Sequence, residues 1–323
     1  MAAVTPVLAA RGLRVTGPSG ALVDGVDLDL EATTVTALVG ESGAGKSLTG
    51  LALLGLVPGP ARLEAGEVVL EGRLVSGLPP RGARAVRGAR IALVPQDPAA
   101  ALDPVIRVGA QVAEILRVHR GLGRADAREA AARALAEVGV TRDDHPHRLS
   151  GGQRQRALIA MALAPGPAVL IADEPTASLD PSVQVGVLDL IGARREAGLA
   201  VLLISHDLGS VARLAGRVAV MYAGRIVEEG PARAVLSAPR HPYTAGLLAL
   251  APRMSGPVAA RAPMPGSPPA AGEAPAGCAF APRCAARRDA CAAPQPRRAA
   301  GPARRVACLL DESEAAALRG GTG

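Results

Sequence analysis

Short apolar runs alternate with longer stretches of helical periodicity through the first 250 residues. TVTALVG (residues 34–40) is an apolar, β-branched run that closes in a Gly-rich turn, and residues 46–57 continue as a helix. GEVVLEGRLV (66–75) and RIALVPQ (90–96) read as further strands, followed by an Ala-, Arg- and Leu-rich helical stretch over residues 108–138. AVLIADEP (168–175) and LAVLLISHD (199–207) are continuous apolar runs separated by a helical segment over residues 181–197. Apolar strands alternating with helices predict a largely parallel α/β sheet covered on both faces. From about residue 253 the periodicity stops. Stretches such as APMPGSPPAAGEAPAG (262–277) have the composition of a linker into a small appendage that cannot build an ordinary core. The expected division is therefore an α/β domain over residues 1–252 and a tail over residues 253–323.

Composition narrows this picture. A hydrophobic content of 49% over 323 residues is ample for a core, but with one Phe, two Tyr and no Trp that core must be Ala, Val, Leu and Ile. The chain has no Asn, and of its 36 basic residues only Lys46 is a lysine. Residues that escape such a bias need a reason, which singles out Lys46, Phe280, Tyr222 and Tyr243. No apolar run approaches the ~18 residues that cross a bilayer. The start, MAAVTPVLAARG, lacks a charged region followed by an apolar one, so a cytoplasmic chain is expected. The net charge of +7 sits mostly in the tail: residues 1–250 carry 26 basic and 24 acidic side chains, residues 251–323 carry 10 and 5. Such an excess can serve nucleic acid or anionic lipid. Here the arginines alternate with Ala and Pro and have almost no aromatic neighbours for base stacking, so nucleic acid is not an expected partner.

Gly40 to Ser47 fits G-x-x-x-x-G-K-[ST] in the strand-to-helix context that this phosphate-binding pattern requires. Gly40, Gly43 and Gly45 let the backbone bend until its N–H groups point at a phosphate, assisted by the helix N-terminus. Glu41, Ser42, Ala44 and Leu48 complete the nucleotide-binding stretch. Lys46 supplies a compact ammonium to the β- and γ-phosphates where the planar fork of Arg would be too large, which accounts for the lone lysine. Ser47 offers a hydroxyl to Mg²⁺. Further along, VLIADEP ends a buried strand on Asp173 and Glu174: one carboxylate can hold Mg²⁺ or its waters while the other orients or deprotonates the attacking water. His206 follows the next apolar strand.

LSGGQRQR (149–156), taken with the phosphate loop, Gln96, ADEP, SLD (178–180) and His206 in this order, resembles the nucleotide-binding subunit of ATP-binding cassette transporters over about residues 7–250. That resemblance implies a P-loop NTPase fold with a helical subdomain over about residues 97–157. It implies two subunits that sandwich ATP head to tail, so that Leu149, Ser150, Gly151, Gly152 and Gln153 complete the γ-phosphate site of the partner. Glu174, His206 and Gln96 would be catalytic, Ser47, Gln96 and Asp173 would surround Mg²⁺, and Asp180 would communicate across the dimer. The implied partners are a second ATPase subunit, identical or paralogous, two transmembrane permease subunits and, indirectly, an extracytoplasmic solute-binding protein, which places the chain on the cytoplasmic face of the membrane. One departure stands out. Relatives carry an adenine-stacking aromatic where this chain has LRVTGPSG (13–20), with Val15 or a residue of the partner subunit as the apolar substitute, so weak discrimination between ATP and GTP is expected.

All four cysteines, Cys278, Cys284, Cys291 and Cys308, fall in the tail as C-x5-C-x6-C-x16-C. Such clustering in a segment without a core points to a metal or a disulfide staple, and a cytoplasmic location argues against disulfides. Four thiolates suit Zn²⁺ or an iron–sulfur cluster, and the spacing matches neither tight zinc pairs nor the C-x2-C-x2-C run. QDPAAALDP (96–104), RHPYTAGLL (240–248) and PGSPP (265–269), followed by these cysteines, resemble the dipeptide and oligopeptide importer ATPases of the peptide and nickel branch. The resemblance implies peptides as the cargo, with nickel or another small solute as the alternative. It favours a [4Fe–4S] cluster shielded by Phe280 over Zn²⁺, with the nearby arginines either compensating the cluster's charge or simply solvated. A soluble cassette ATPase acting on nucleic acid or ribosomes is the competing class. Those proteins commonly carry two cassettes or a long coiled coil, and this chain has one cassette and no sustained heptads.

Overall fold

The computed structural model describes residues 5–177, 179–250 and 264–320; Ser178 and residues 251–263 of the expected linker lie outside the described residues. The chain packs as two units, one of Met1–Leu8, Asp29–Thr34 and Val69–Leu203, the other of Ala9–Leu28, Val35–Val68 and Ile204–Gly323.

In the first unit the strands Ile91–Val94 and Val169–Asp173 run parallel, in register from Ile91 opposite Val169 to Val94 opposite Ala172. Every residue of Val169–Asp173 is buried, as a parallel strand covered on both faces requires. The expected helical stretch 108–138 is two helices, Val108–Arg120 and Arg124–Glu137. Gly121 ends the first in the left-handed region at φ 65°, a conformation that favours glycine and stops the helix. These two helices pack on each other and on Gly151–Leu163, with Val112, Leu116, Ala131 and Leu135 buried. The run 66–75, expected as one strand, is a hairpin: Arg62–Leu70 returns as Arg73–Leu74, with Val69 opposite Leu74. Glu71 and Gly72 both take positive φ, 48° and 78°, the backbone of a two-residue turn.

The second unit contains most of the strands Leu8–Gly17 and Gly20–Leu30, which alternation along the sequence does not reveal. The buried positions are Leu8 and Ala10, then Leu13 and Val15, in the first; Val23, then Val26, Leu28 and Leu30, in the second. Each phase slip coincides with a positive-φ glycine, Gly12 at 59° and Gly25 at 65°, as bulges produce, and a bulge hides the period of two. In the same unit Val35–Val39 runs parallel to Arg217–Tyr222, which turns back antiparallel as Arg225–Pro231.

The tail joins this sheet. Arg305–Val306 pairs antiparallel with Glu228 and Glu229, and Arg298–Ala299 adds a further strand beyond it. The tail's apolar contribution is small, and it is inserted into a core that the rest of the unit provides: Phe280, 4% exposed, packs with Val227, Val235, Tyr222 and Tyr243. Its arginines supply the polar anchorage. Arg304 bonds the fully buried Glu228, whose carboxylate also accepts from the backbone N–H groups of Arg240 and His241 at 2.9 Å each. Arg297 pairs with Glu229 at 3.0 Å and with Asp27. Arg225 in turn reaches from its strand to the tail carbonyl of Pro275 at 3.1 Å while pairing with Asp24 at 2.7 Å. Arg297 and Arg304 therefore fasten the tail to acidic side chains of the unit.

Candidate functional site

The phosphate loop leaves the buried strand Val35–Val39 at Gly40 and enters the helix Lys46–Leu53. A Cβ on Gly40 would lie 2.2 Å from the carbonyl oxygen of Met221, and one on Gly45, at φ 101°, would lie 2.9 Å from that of Leu22. Neighbouring backbones approach the loop so closely that only glycine fits at these two points. Lys46 is 8% exposed, and its Nζ donates to the carbonyl oxygens of Gly40 at 2.8 Å and Glu41 at 3.0 Å. The loop thus curls around its own ammonium. Ser47, in the first helical turn, is exposed.

Glu41 is held from the outside. Its backbone N–H donates to the phenol oxygen of Tyr243 at 2.7 Å, and its carboxylate accepts two bonds from the Arg283 guanidinium, at 2.9 and 3.1 Å. Arg283 also donates to the Tyr222 phenol at 3.2 Å and, through Nε, to the Pro265 carbonyl at 2.9 Å. The chain's three aromatic residues converge here: the Tyr222 ring centroid lies 4.5 Å from Tyr243 and 5.5 Å, edge-on, from Phe280. Burial pushes both phenols up, and the bonds to the Glu41 carboxylate push Arg283 up as well. Composition had singled out Lys46, Tyr222, Tyr243 and Phe280 separately. The hydrogen bonds of Lys46, Tyr243 and Arg283 all meet on residues 40–41.

One expectation about adenine changes. Val15 is fully buried in its strand and offers no contact surface. Tyr222, Tyr243 and Phe280 are 1%, 0% and 4% exposed, so the chain has no aromatic face available for stacking.

In the first unit Asp173 closes its strand and Glu174 follows it, each 9% exposed. Glu174 sits in the left-handed region at φ 49°, a conformation that costs a non-glycine residue energy and recurs at functional sites. Gln96 is exposed after Ile91–Val94, just ahead of Asp97, which caps the helix Pro98–Ala101. Asp180 occupies the N-cap position of Pro181–Glu196. LSGGQ proves to be a capping box. Ser150 Oγ accepts from the Gln153 N–H at 3.2 Å and Gln153 Oε1 accepts from the Ser150 N–H at 2.9 Å, while Leu149 is buried as an anchor and Gly151 and Gly152 open the helix. His206, in the second unit, is exposed after Ala200–Ile204 and adjoins Asp207, the cap of Leu208–Leu214.

Cys278, Cys284, Cys291 and Cys308 are all free thiols, partly buried, and line one small recess of about 20 Å³, room for roughly one water-sized group, together with Phe280 and His241. Burial pushes the thiols of Cys278, Cys284 and Cys308 up. Among the described residues no three His, Cys, Asp or Glu side chains converge closely enough to hold a metal ion, so neither the Zn²⁺ nor the iron–sulfur expectation finds a formed metal centre. His241 is buried at 1% exposure, and its Nδ1 accepts from the Tyr243 N–H at 3.1 Å, which leaves the proton on Nε2. Among the described residues that buried Nε2 has no hydrogen-bond partner.

A strand–loop–helix cradle with a lysine at its centre defines a phosphate-binding P-loop, and the comparisons make the nucleotide ATP. The family described as ABC transporter matches residues 23–177, and the one described as oligopeptide/dipeptide transporter, C-terminal region, matches residues 227–291. A peptide import ATP-binding protein of Brucella melitensis is 42% identical over 313 residues, covering 90% of this chain and 93% of the relative. Another from Brucella abortus is 44% identical over 280 residues, covering 85% and 84%. Among solved structures, CbiO1 from Clostridium perfringens, part of the ABC transporter complex CbiONQ, superposes with a TM-score of 0.64 at 27% identity, covering 72% of this chain and 91% of its own. The ATP-binding cassette MJ0796, in a dimeric post-hydrolysis state with ADP and Pi, matches in fold with the same TM-score at 24% identity, covering 70% and 99%. The chain belongs to the ATP-binding proteins of the ABC transporter family, in the branch that carries the oligopeptide/dipeptide C-terminal region. No helix among the described residues is long and apolar enough to cross a membrane.

Proposed function

We propose that this chain is the ATP-hydrolysing subunit of an importer for di- and oligopeptides, acting with a second ATPase subunit on two membrane permeases at the cytoplasmic face. The observation that carries the reading is the phosphate loop wrapped around Lys46 and tied to Tyr243 and Arg283, which lie in the region that matches oligopeptide/dipeptide transporters.

The loop N–H groups and Lys46 take the β- and γ-phosphates. Held by the Gly40 and Glu41 carbonyls, Lys46 presents its ammonium to the phosphate oxygens, so the cradle is charged before the nucleotide arrives. Ser47, Gln96 and Asp173 are the groups proposed to hold Mg²⁺, an oxygen-donor set that suits this cation. Glu174 orients the attacking water and accepts its proton, and His206 contacts the γ-phosphate. Ser150, with the N–H groups of Gly151 and Gly152 at the start of a 13-residue helix, faces the nucleotide of the partner subunit. Asp180 carries the nucleotide state across the dimer.

The tail cysteines are proposed to hold a [4Fe–4S] cluster. What supports this is that all four line one recess, and that buried His241, whose Nε2 has no hydrogen-bond partner among the described residues, belongs to the same lining. Iron and acid-labile sulfide assays on anaerobically purified protein should find about four of each per chain; absence of both removes the cluster.

The reading of the ATP site is tested by Glu174→Gln, which should bind ATP and trap a closed dimer while turnover falls by roughly a hundredfold or more. Normal turnover would overturn the role given to Glu174. The cargo is tested by uptake of labelled di- and oligopeptides beside nickel in cells lacking the gene. Selective loss of peptide uptake is the expected result, and loss of nickel uptake alone reassigns the transporter.

A further inference from the structure

We infer that Arg283, together with Tyr243, is a positioning residue for ATP binding: the tail holds Glu41 away from the phosphate cradle and fixes the two carbonyls on which Lys46 rests. This rests on the ATP-binding reading of the loop.

The inference starts from the sign of a charge. Glu41 is the first residue after Gly40, so it brings a carboxylate to the rim of a cradle meant for a triphosphate. Left to itself, that carboxylate repels the ligand and competes with it for Lys46. In the structure it does neither, because both of its oxygens are engaged by the two terminal nitrogens of Arg283, at 2.9 and 3.1 Å. The guanidinium is itself fixed at three further points: the Pro265 carbonyl, the Tyr222 phenol, and the faces of the Tyr222 and Phe280 rings, whose centroids lie 5.8 and 5.6 Å from its central carbon. With a side-chain exposure of 5% it cannot swing away to follow Glu41 into the cradle.

Tyr243 acts on the same residue through the backbone. Its phenol accepts the Glu41 N–H at 2.7 Å, which sets the orientation of the Gly40–Glu41 peptide. That peptide carries the Gly40 carbonyl, one of the two acceptors of Lys46 Nζ, and the Glu41 carbonyl is the other. A route of direct contacts therefore runs from Arg283 and Tyr243 through Glu41 to the ammonium. The chain places all three of its aromatic residues around this contact and none elsewhere. Arg283 also immediately precedes Cys284, so the thiol recess and the phosphate loop share a fixed neighbour.

The test uses the full-length chain and a fluorescent ATP analogue with Mg²⁺. Arg283→Ala should weaken binding by roughly tenfold, the scale of a charge-assisted pair at a partly exposed carboxylate. In the transporter it should raise KM for ATP while leaving kcat at saturation nearly unchanged, the pattern of lost ground-state binding. In a Glu41→Ala background the same substitution should do almost nothing, because Arg283 acts through Glu41. Where Arg283→Ala folds poorly, Arg283→Gln, which keeps a side-chain amide donor but no charge, takes its place in the cycle. Lys46→Ala is the control for the underlying reading: if it binds the analogue as the native chain does, the ATP site itself is misassigned. If Lys46→Ala loses binding but Arg283→Ala does not, the positioning role is wrong. A drop in unfolding temperature and in active fraction with KM unchanged, or an equal loss in both Glu41 backgrounds, likewise overturns it.

Discussion

The phosphate loop and the thiol recess are both built to receive a group, and they are built in opposite ways. Nine consecutive residues, Gly40 to Leu48, make the loop, and its shape comes from backbone: glycines pressed against the carbonyls of Met221 and Leu22, and a lysine folded onto its own peptide oxygens. The recess takes its four thiols from residues 278–308 and closes with His241 and Pro242, which arrive from a helix start some forty positions earlier. Its shape comes from side chains that meet only because an aromatic cluster and a set of buried ion pairs hold the tail on the sheet. A site made of contiguous backbone survives loss of a side chain, whereas a site made of distant side chains does not.

The substitution that tests this most strongly is Phe280→Ala. It removes the ring that packs against Tyr222, Tyr243 and His241 at centroid distances of 5.5 to 6.0 Å, and should destabilise the unit by about 3–5 kcal/mol, measured by urea unfolding. A cost below about 1 kcal/mol would mean that the tail merely rests on the surface and the contrast fails.

Acid should open the recess next. Burial holds the His241 imidazole neutral by lowering its pKa from 6.5 to about 4, so between those values the unfolded chain binds a proton that the folded chain refuses. Stability is therefore lost as pH falls from about 6.5 to about 4, by about 3 kcal/mol from this group. The groups facing it are the four thiols and Arg288 around the recess, with buried Glu228 accepting from its backbone N–H. Unfolding measured at both pH values for the native chain and for His241→Gln isolates its share, since Gln does not titrate. Equal acid sensitivity in the two would show that the imidazole finds a partner when charged.

Lys46→Arg tests the other side of the contrast. The glycines and neighbouring backbones stay, so the unfolding temperature should move little, while ATP affinity falls by roughly a hundredfold because a planar guanidinium does not fit where the ammonium rests between two carbonyls. Native affinity in Lys46→Arg would undo the explanation of the lone lysine, and a large loss of stability would show that the loop depends on its side chain after all.

These differences also decide what the sequence discloses. The loop's spacing, the lysine exception and the apolar strands around it are local, and LSGGQ stands out within five residues, although its capping box comes from the structure. Leu8–Gly17 and Gly20–Leu30 stay hidden because the buried face slips by one residue beside the positive-φ glycines Gly12 and Gly25. The tail is harder still. Nothing in APRC marks Arg283 for Glu41, 242 positions away, and a basic, coreless composition conceals that the charges are pairing groups and that the core is borrowed. The only signal available was rarity: three aromatics in a chain nearly without them proved to occupy one cluster.

The smallest effect expected concerns the base of the nucleotide. The phosphates are gripped by backbone and Lys46, but Val15 is fully buried and all three aromatic rings are packed away, so the chain itself offers adenine no stacking surface. Affinity must then come almost wholly from the triphosphate end, which ATP and GTP share, so the two should bind within about fivefold of each other. Competition of each nucleotide against the same fluorescent analogue measures this directly. A preference for ATP of a hundredfold or more would mean that polar groups read the exocyclic amine, and selectivity as well as affinity would then be built without side-chain stacking.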